Sequence, residues 1–376
     1  MIYLTVLIVG LLITALRVNS KITQVIYALC ALGTMDYLMG TVDALHSFDT
    51  SAYEYMYSYL PSTHRFEAGY MDLTYWFYSH NIPYVEFRVI SFAIFVVVMF
   101  MGIRLLTDNW IAFYSLYLIF PFFMDVTQVR QFFMFSLVIF GSGIIARYKG
   151  KLSFLVGALI IILSCEFQSS GIAYVLILFL MRFSYKKLLH IGEYLLWIES
   201  GLAVLLHLAN GNSVIQKALS VIMGITGRSD IESIISLYSQ GSSFSRVTFY
   251  ILSIILGFYV YRLLINSISE EVMSLRVRNV TTSMLLVGII FIITLAGSAD
   301  FERFLRGSIV AMIIVFANYM DPKNIIPRGV LVKRWALMFI ALLLFTMSWK
   351  YWDSSNEGRL QYLPYIIKVS NGNEVE

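Results

Sequence analysis

The stretch VEFRVISFAIFVVVMFMGI, residues 85–103, settles the fold class: it is apolar throughout apart from Glu86, Arg88 and Ser91 in its first two turns. A hydrocarbon core about 30 Å thick is crossed by about 20 helical residues, and a segment apolar on every face has no water-facing side. Similar runs recur from Ile2 to Trp349, which leaves no stretch for a separate water-soluble domain. Composition agrees, because 59% of the chain is apolar and only 13% charged, against about 25% charged in an ordinary globular domain. The expectation is an all-α polytopic transmembrane helical bundle, a single integral membrane domain over residues 1–376.

Working outward from 85–103, twelve segments are expected to be membrane helices: 2–16, 22–39, 85–103, 109–124, 131–146, 152–164, 170–181, 191–208, 247–265, 280–297, 304–319 and 335–349. Two of them, 152–164 and 170–181, are short enough that they must extend into polar neighbours or re-enter the face they left. The longest polar insertions are about 40–84 and 210–245. The second is rich in Ser, Gly and Ile, carries Arg228, Asp230 and Glu232, and reads as a large loop with amphipathic helices that could form a lid.

Alternating these spans sorts the connections into two sets. One holds 16 of the 27 Lys and Arg residues in short loops, among them Arg17, Arg104, Arg147, Lys149, Arg182, Lys186, Arg276, Arg278 and Lys323. The other holds most of the acids. Short basic loops stay in the cytoplasm, so the rule places both termini, and the polar segments around Asp49, Glu67, Arg130, Gln168 and Arg303, on the extracytoplasmic face. The N-terminus lacks a basic region ahead of its apolar run and is expected to persist as the first membrane helix. Cys30 and Cys165 show neither disulfide nor metal spacing. No basic run points to nucleic acid, and no Walker, HExxH, GxSxG or Cys/His cluster points to nucleotide, zinc or serine-hydrolase chemistry. No internal repeat is evident, which weakens an inverted-repeat transporter.

The candidate residues lie in that outward set. Asp49, Tyr53 and Tyr57 recur every fourth position, so a helix would place them roughly on one face, and Glu67, Gly69 and Tyr70 follow. A carboxylate beside tyrosine rings suits a sugar, whose C–H faces stack and whose hydroxyls bond to acids; the same tyrosines also suit an interfacial aromatic belt. Asp125-Val-Thr-Gln-Val-Arg-Gln131 sits between Phe120-Pro-Phe-Phe and Phe132-Phe-Met-Phe. A charge at mid-bilayer costs at least ~2.5 kcal/mol, so Asp125, Arg130 and Gln131 face protein or a cavity. Arg130 reads either as a phosphate-binding fork or as the partner of Asp125, and Pro121 predicts a broken helix. Glu166, Gln168, Ser169 and Ser170 interrupt another apolar run, with Glu166 as base, sugar ligand or solvated helix end. Arg303 and Arg306, one turn apart at a helix start, read either as a clamp for pyrophosphate or as a cap paired with Asp300 and Glu302.

Taken in order, Asp49-x3-Tyr53 with Tyr57, Glu67-x-Gly69-Tyr70, Arg130-Gln131, Phe167-x2-Ser170, Arg303-Phe304 and Tyr362-x-Pro364-Tyr365 resemble the EpsG family, Wzy-like membrane proteins that polymerise bacterial surface polysaccharides. Two positions depart from that pattern. Gln168 stands where the family carries histidine, so a histidine base cannot be carried over, and Ala68 stands where proline follows the glutamate.

The resemblance implies a bacterial cytoplasmic-membrane glycosyltransferase that joins undecaprenyl-pyrophosphate-linked oligosaccharide repeats into exopolysaccharide, capsule or O-antigen. The partners it implies are the lipid bilayer, the lipid-linked oligosaccharide, a chain-length regulator and a flippase. On this view Arg130, Arg303 and Arg306 stabilise the leaving pyrophosphate, and Asp49, Glu67 or Glu166 is the general base. Tyr53, Tyr57, Tyr70, Gln131, Gln168 and Ser170 line the substrate site. No cofactor and no metal are required. The rival expectations are a flippase or transporter of lipid-linked oligosaccharide, another lipid-linked-sugar transferase or ligase, and a noncatalytic component of an assembly complex.

Overall fold

A computed structural model of the chain describes residues 2–18, 20–42, 48–60, 66–209, 243–297, 299–324 and 329–353. The described residues form helices α1 (Ile2–Leu16), α2 (Lys21–Gly40), α3 (Phe48–Ser58), α4 (Ala68–Ser79), α5 (Tyr84–Leu106), α6 (Trp110–Ile119), α7 (Phe122–Thr127) and α8 (Val129–Arg147). They continue as α9 (Lys151–Leu163), α10 (Gly171–Leu180), α11 (Tyr185–Leu208), α12 (Phe244–Asn266), α13 (Leu275–Ile290), α14 (Arg306–Met320) and α15 (Gly329–Asp353). No strand occurs among the described residues. The protein is therefore an all-α polytopic bundle, as its composition predicts. Each of the twelve expected segments overlaps a helix, and two of them, 109–124 and 280–297, are interrupted. Among the described residues, eight helical segments are long and apolar enough to cross a membrane, while Ile2–Leu16, Trp110–Ile119 and Gly171–Leu180 are shorter apolar helices.

Helix starts follow local chemistry. Ser20, Asn109, Ser184, Ser243 and Ser274 each accept a hydrogen bond from a backbone N–H in the first turn of α2, α6, α11, α12 and α13, satisfying donors that a helix start leaves open. Pro121 breaks the expected 109–124 helix: α6 ends at Ile119, and α7 and α8 follow as separate pieces. The expected 280–297 helix likewise ends at Ile290, and short 3₁₀ segments, Ile292–Ala296 and Ala299–Leu305, lead into α14.

Helix α14 lies at the centre, with every residue from Arg306 to Met320 buried. It packs on α13, α12 and α6, and elsewhere in the bundle α8 packs closely on α5 and α9. A side chain at Gly102 would meet the Phe140 backbone nitrogen at 2.7 Å, and one at Gly141 would meet the Gly157 carbonyl at 2.6 Å. Small residues let membrane helices approach to backbone contact in this way. The outer surface is aliphatic, with Ile22, Ile26 and Leu29 of α2, Leu155 and Leu159 of α9, and Leu331, Met338 and Leu342 of α15 exposed. Such a surface suits lipid and would be an aggregation liability in water.

The basic connections gather at one end of the bundle. Arg17 donates to the Pro322 carbonyl, Arg334 to the Ala15 carbonyl and Arg276 to the Tyr148 carbonyl. The opposite end carries α3 and α4, which fill much of the expected 40–84 insertion. The expected lid at 210–245, apart from 243–245, and the Tyr362-x-Pro364-Tyr365 motif lie outside the described residues.

Candidate functional site

At the α3–α4 end, three segments far apart in sequence meet around Arg130. This residue sits in the first turn of α8, where the break after α6 and the short α7 deliver it. Its Nη1 forms an ion pair with Glu67 Oε2, and its Nε donates to the Tyr53 hydroxyl at 3.0 Å. The Phe66 ring lies under the guanidinium at 4.2 Å, a cation–π contact. Glu67 Oε1 accepts from the Ser169 backbone N–H at 2.8 Å. Arg130 and Glu67 are mostly buried, with 12% and 11% of their side chains exposed.

Gly69 explains why this junction can close. A side chain there would meet Glu166 Cβ at 2.8 Å and the Glu166 carbonyl at 3.0 Å. With hydrogen alone at this position, the first turn of α4 rests on the turn 164–170, and Glu67, immediately before that turn, reaches both Ser169 and Arg130. Neighbouring motif residues support the same turn: Ser170 donates to Gln131 Oε1 at 2.9 Å, and Phe167 packs edge-on against Phe95 at 5.1 Å. Gln131 Nε2 is buried without a hydrogen-bond partner. Gln168, at the family's histidine position, is buried, and Glu166 is exposed on the short 3₁₀ turn.

The tyrosines divide differently from the sequence expectation. Tyr53 is half-buried and touches Arg130. Tyr57 is buried, donates to the Ile82 carbonyl at 2.8 Å and packs on Phe87. Burial pushes its phenol up to about 12, so it stays a neutral donor. Tyr70 is 2% exposed among Tyr53, Phe66, Phe87 and Phe133, and burial raises its phenol well above the ordinary value. These two rings form packing that seats α3 and α4. Asp49 is exposed at the start of α3. A small crevice bounded by Tyr53, Met56, Phe66 and Met71, with a free interior of about 10 Å³, has room for no more than about one water molecule.

Two pairings differ from expectation. Asp125 is not the partner of Arg130; it faces Arg306, whose Nη1 lies 2.5 Å from Asp125 Oδ1 with both side chains fully buried. The Tyr117 hydroxyl donates to the other Asp125 oxygen, and Arg306 Nη2 donates to Gln128 Oε1 at 2.9 Å. Arg306 therefore points into the core, and no clamp is formed by Arg303 and Arg306 on a shared open face. Burying an arginine demands a counter-charge, and Asp125 is placed to supply it. Glu302 pairs with Arg246 of α12 at 2.9 Å; Arg303 is half-buried on the 3₁₀ segment. Sequence reading missed Phe66, Tyr117 and Arg88. Arg88 carried a signal, a charge inside the start of the apolar segment first quoted, while Phe66 carried none. No group of three or more His, Cys, Asp or Glu that could hold a metal ion occurs among the described residues.

Fold and site together define a multi-pass all-α membrane protein with a polar, ion-paired centre at one end of its bundle. The EpsG family model matches residues 38–367, nearly the whole chain, and the protein belongs to the EpsG family. That membership supports a polymerase-like role in polysaccharide biosynthesis. No match was found among curated proteins or among solved structures.

Proposed function

We propose that the protein polymerises lipid-pyrophosphate-linked oligosaccharide repeats at the extracytoplasmic face of the bacterial cytoplasmic membrane. The observation that carries this reading is the junction of Glu67, Arg130, Tyr53 and the Ser169 amide, which unites four segments of the family pattern in one partly buried polar centre. In the proposed reaction a hydroxyl of the incoming lipid-linked unit attacks the anomeric carbon of the growing glycan. The bond from that carbon to pyrophosphate breaks, the pyrophosphate departs on its lipid with the electron pair, and the hydroxyl proton passes to a carboxylate.

The Tyr53 hydroxyl accepts from Nε of Arg130 and Glu67 pairs with Nη1, and Nη2 is assigned to meet an anionic oxygen. Charge stabilisation by a pre-positioned donor is worth most where it costs no rearrangement. Both Glu67 oxygens accept charge-assisted or backbone hydrogen bonds, which weakens its case as base. The base is assigned to Glu166, exposed beside Gly69 and outside any ion pair among the described residues.

The test is to incubate purified protein in nanodiscs with the host's lipid-pyrophosphate-linked repeat unit, without nucleotide sugar, and to resolve the products on a gel. The expected result is a ladder of repeats that Arg130→Ala reduces by about 100-fold or more. A single added unit would indicate a transferase or ligase. Absence of product from folded protein that binds the lipid would overturn the enzyme reading in favour of a flippase or accessory subunit.

A further inference from the structure

Arg88 is the second large buried cation at this end of the bundle, and neither the family pattern nor the proposed chemistry uses it. It projects from the second turn of α5 and is 1% exposed. Its Nη1 donates to Thr50 Oγ1 at 3.2 Å and to the Tyr84 hydroxyl at 3.5 Å. Its Nη2 donates to the Met39 carbonyl at 2.5 Å and the Val126 carbonyl at 3.3 Å. The Phe92 ring lies 5.3 Å from the guanidinium carbon. One planar fork thus ties together the end of α2, the start of α3 and the end of α7.

The two outer arms of that fork reach the carriers of the site. Thr50 lies one helical turn before Tyr53 on α3, and Val126 lies four residues before Arg130, at the end of the short helix that leads into α8. Tyr53 and Arg130 are the pair joined at 3.0 Å. On the other side of α7, Arg306 engages Asp125 and Gln128. The six-residue α7 is therefore gripped from α5 and from α14 by two buried guanidiniums. Lysine could not replace either one, because its single nitrogen cannot serve divergent acceptors in a fixed plane.

We infer that Arg88 is a positioning residue that fixes the Tyr53–Arg130 pair by holding the carrier of each. The inference rests on the reading of Arg130 as the centre of the site, and it extends to a residue that touches no substrate.

Two measurements on the full chain in nanodiscs test it. The first needs no activity: hydrogen exchange in Arg88→Met should quicken about tenfold both in α3 and at the α7–α8 joint, residues 127–131, while α11 keeps its wild-type protection. Acceleration in only one of the two segments, in neither, or throughout the protein would overturn the inference. The second is a kinetic cycle with Thr50→Val, which removes one arm, and Tyr53→Phe, which removes the contact that arm is inferred to serve. Thr50→Val should lower kcat about fivefold or more with KM nearly unchanged, and should cost nothing further in the Tyr53→Phe background, since coupled residues are non-additive. Additive losses, or wild-type turnover in Thr50→Val, would show that Thr50 acts independently of the pair. If the wild-type protein makes no polymer, the proposed function falls while the exchange measurement still decides the role of Arg88.

Discussion

Arg130 and Arg306 are both arginines at the start of a helix at the same end of the bundle, yet their surroundings assign them opposite tasks. Arg130 meets a carboxylate and a phenol and keeps 12% of its side chain exposed; Arg306 meets a carboxylate and an amide and is fully buried. The buried Arg306–Asp125 pair should behave as structural ion pairs do. Asp125→Asn leaves Arg306 without its counter-charge and should destabilise the protein by about 3–5 kcal/mol, whereas the double change Asp125→Leu with Arg306→Met should recover most of that loss. Thermal denaturation in detergent measures both. Because Gln128 also holds Arg306, the double variant should fold yet lose turnover through a looser α7. A double variant no more stable than Asp125→Asn would show that the pair does more than satisfy itself.

At the scale of elements, the decisive contact is that of α4 with the turn 164–170. It joins two segments separated by about a hundred residues, and it depends on Gly69 having no side chain. In Gly69→Ala the new methyl must displace Glu166 Cβ or its carbonyl, which moves Glu67 away from Ser169 and Arg130. The expected outcome is loss of polymerisation with normal expression and membrane insertion. Gly33 of α2 is the matched control, because a side chain there meets nothing within 4 Å. Gly33→Ala should keep full activity and, by reducing the freedom of the unfolded helix, stabilise by about 0.5–1 kcal/mol. Equal activity in the two variants would mean that the close approach of α4 is not needed.

At the scale of the whole molecule, one end gathers short basic loops and the other gathers the candidate site, and the membrane potential and insertion machinery act on that asymmetry. The prediction is that the site end faces outward. In a variant with Cys30 and Cys165 changed to Ser, Ser79→Cys at the end of α4 should react with a membrane-impermeant maleimide on intact cells, and Lys149→Cys should react only after permeabilisation. The reverse pattern would turn the bundle over and remove the site from any extracytoplasmic substrate.

The all-α membrane class, the positions of the apolar helices, the break at Pro121 and the family were all legible in the chain of residues, because hydrophobic runs, proline and short ordered motifs act locally or survive as text. The sequence also marked Glu67, Arg130, Ser169 and Ser170 as polar positions in an apolar chain. It could not assign their partners. Asp125 lies five residues from Arg130 but bonds to Arg306, and Glu67 crosses 63 positions to reach Arg130. Nor could it separate the tyrosine that touches the site, Tyr53, from Tyr57 and Tyr70, which pack beneath it. These emerge from the folded bundle, since ion pairing and burial depend on which helix faces which, and that is set by packing between segments distant in the chain.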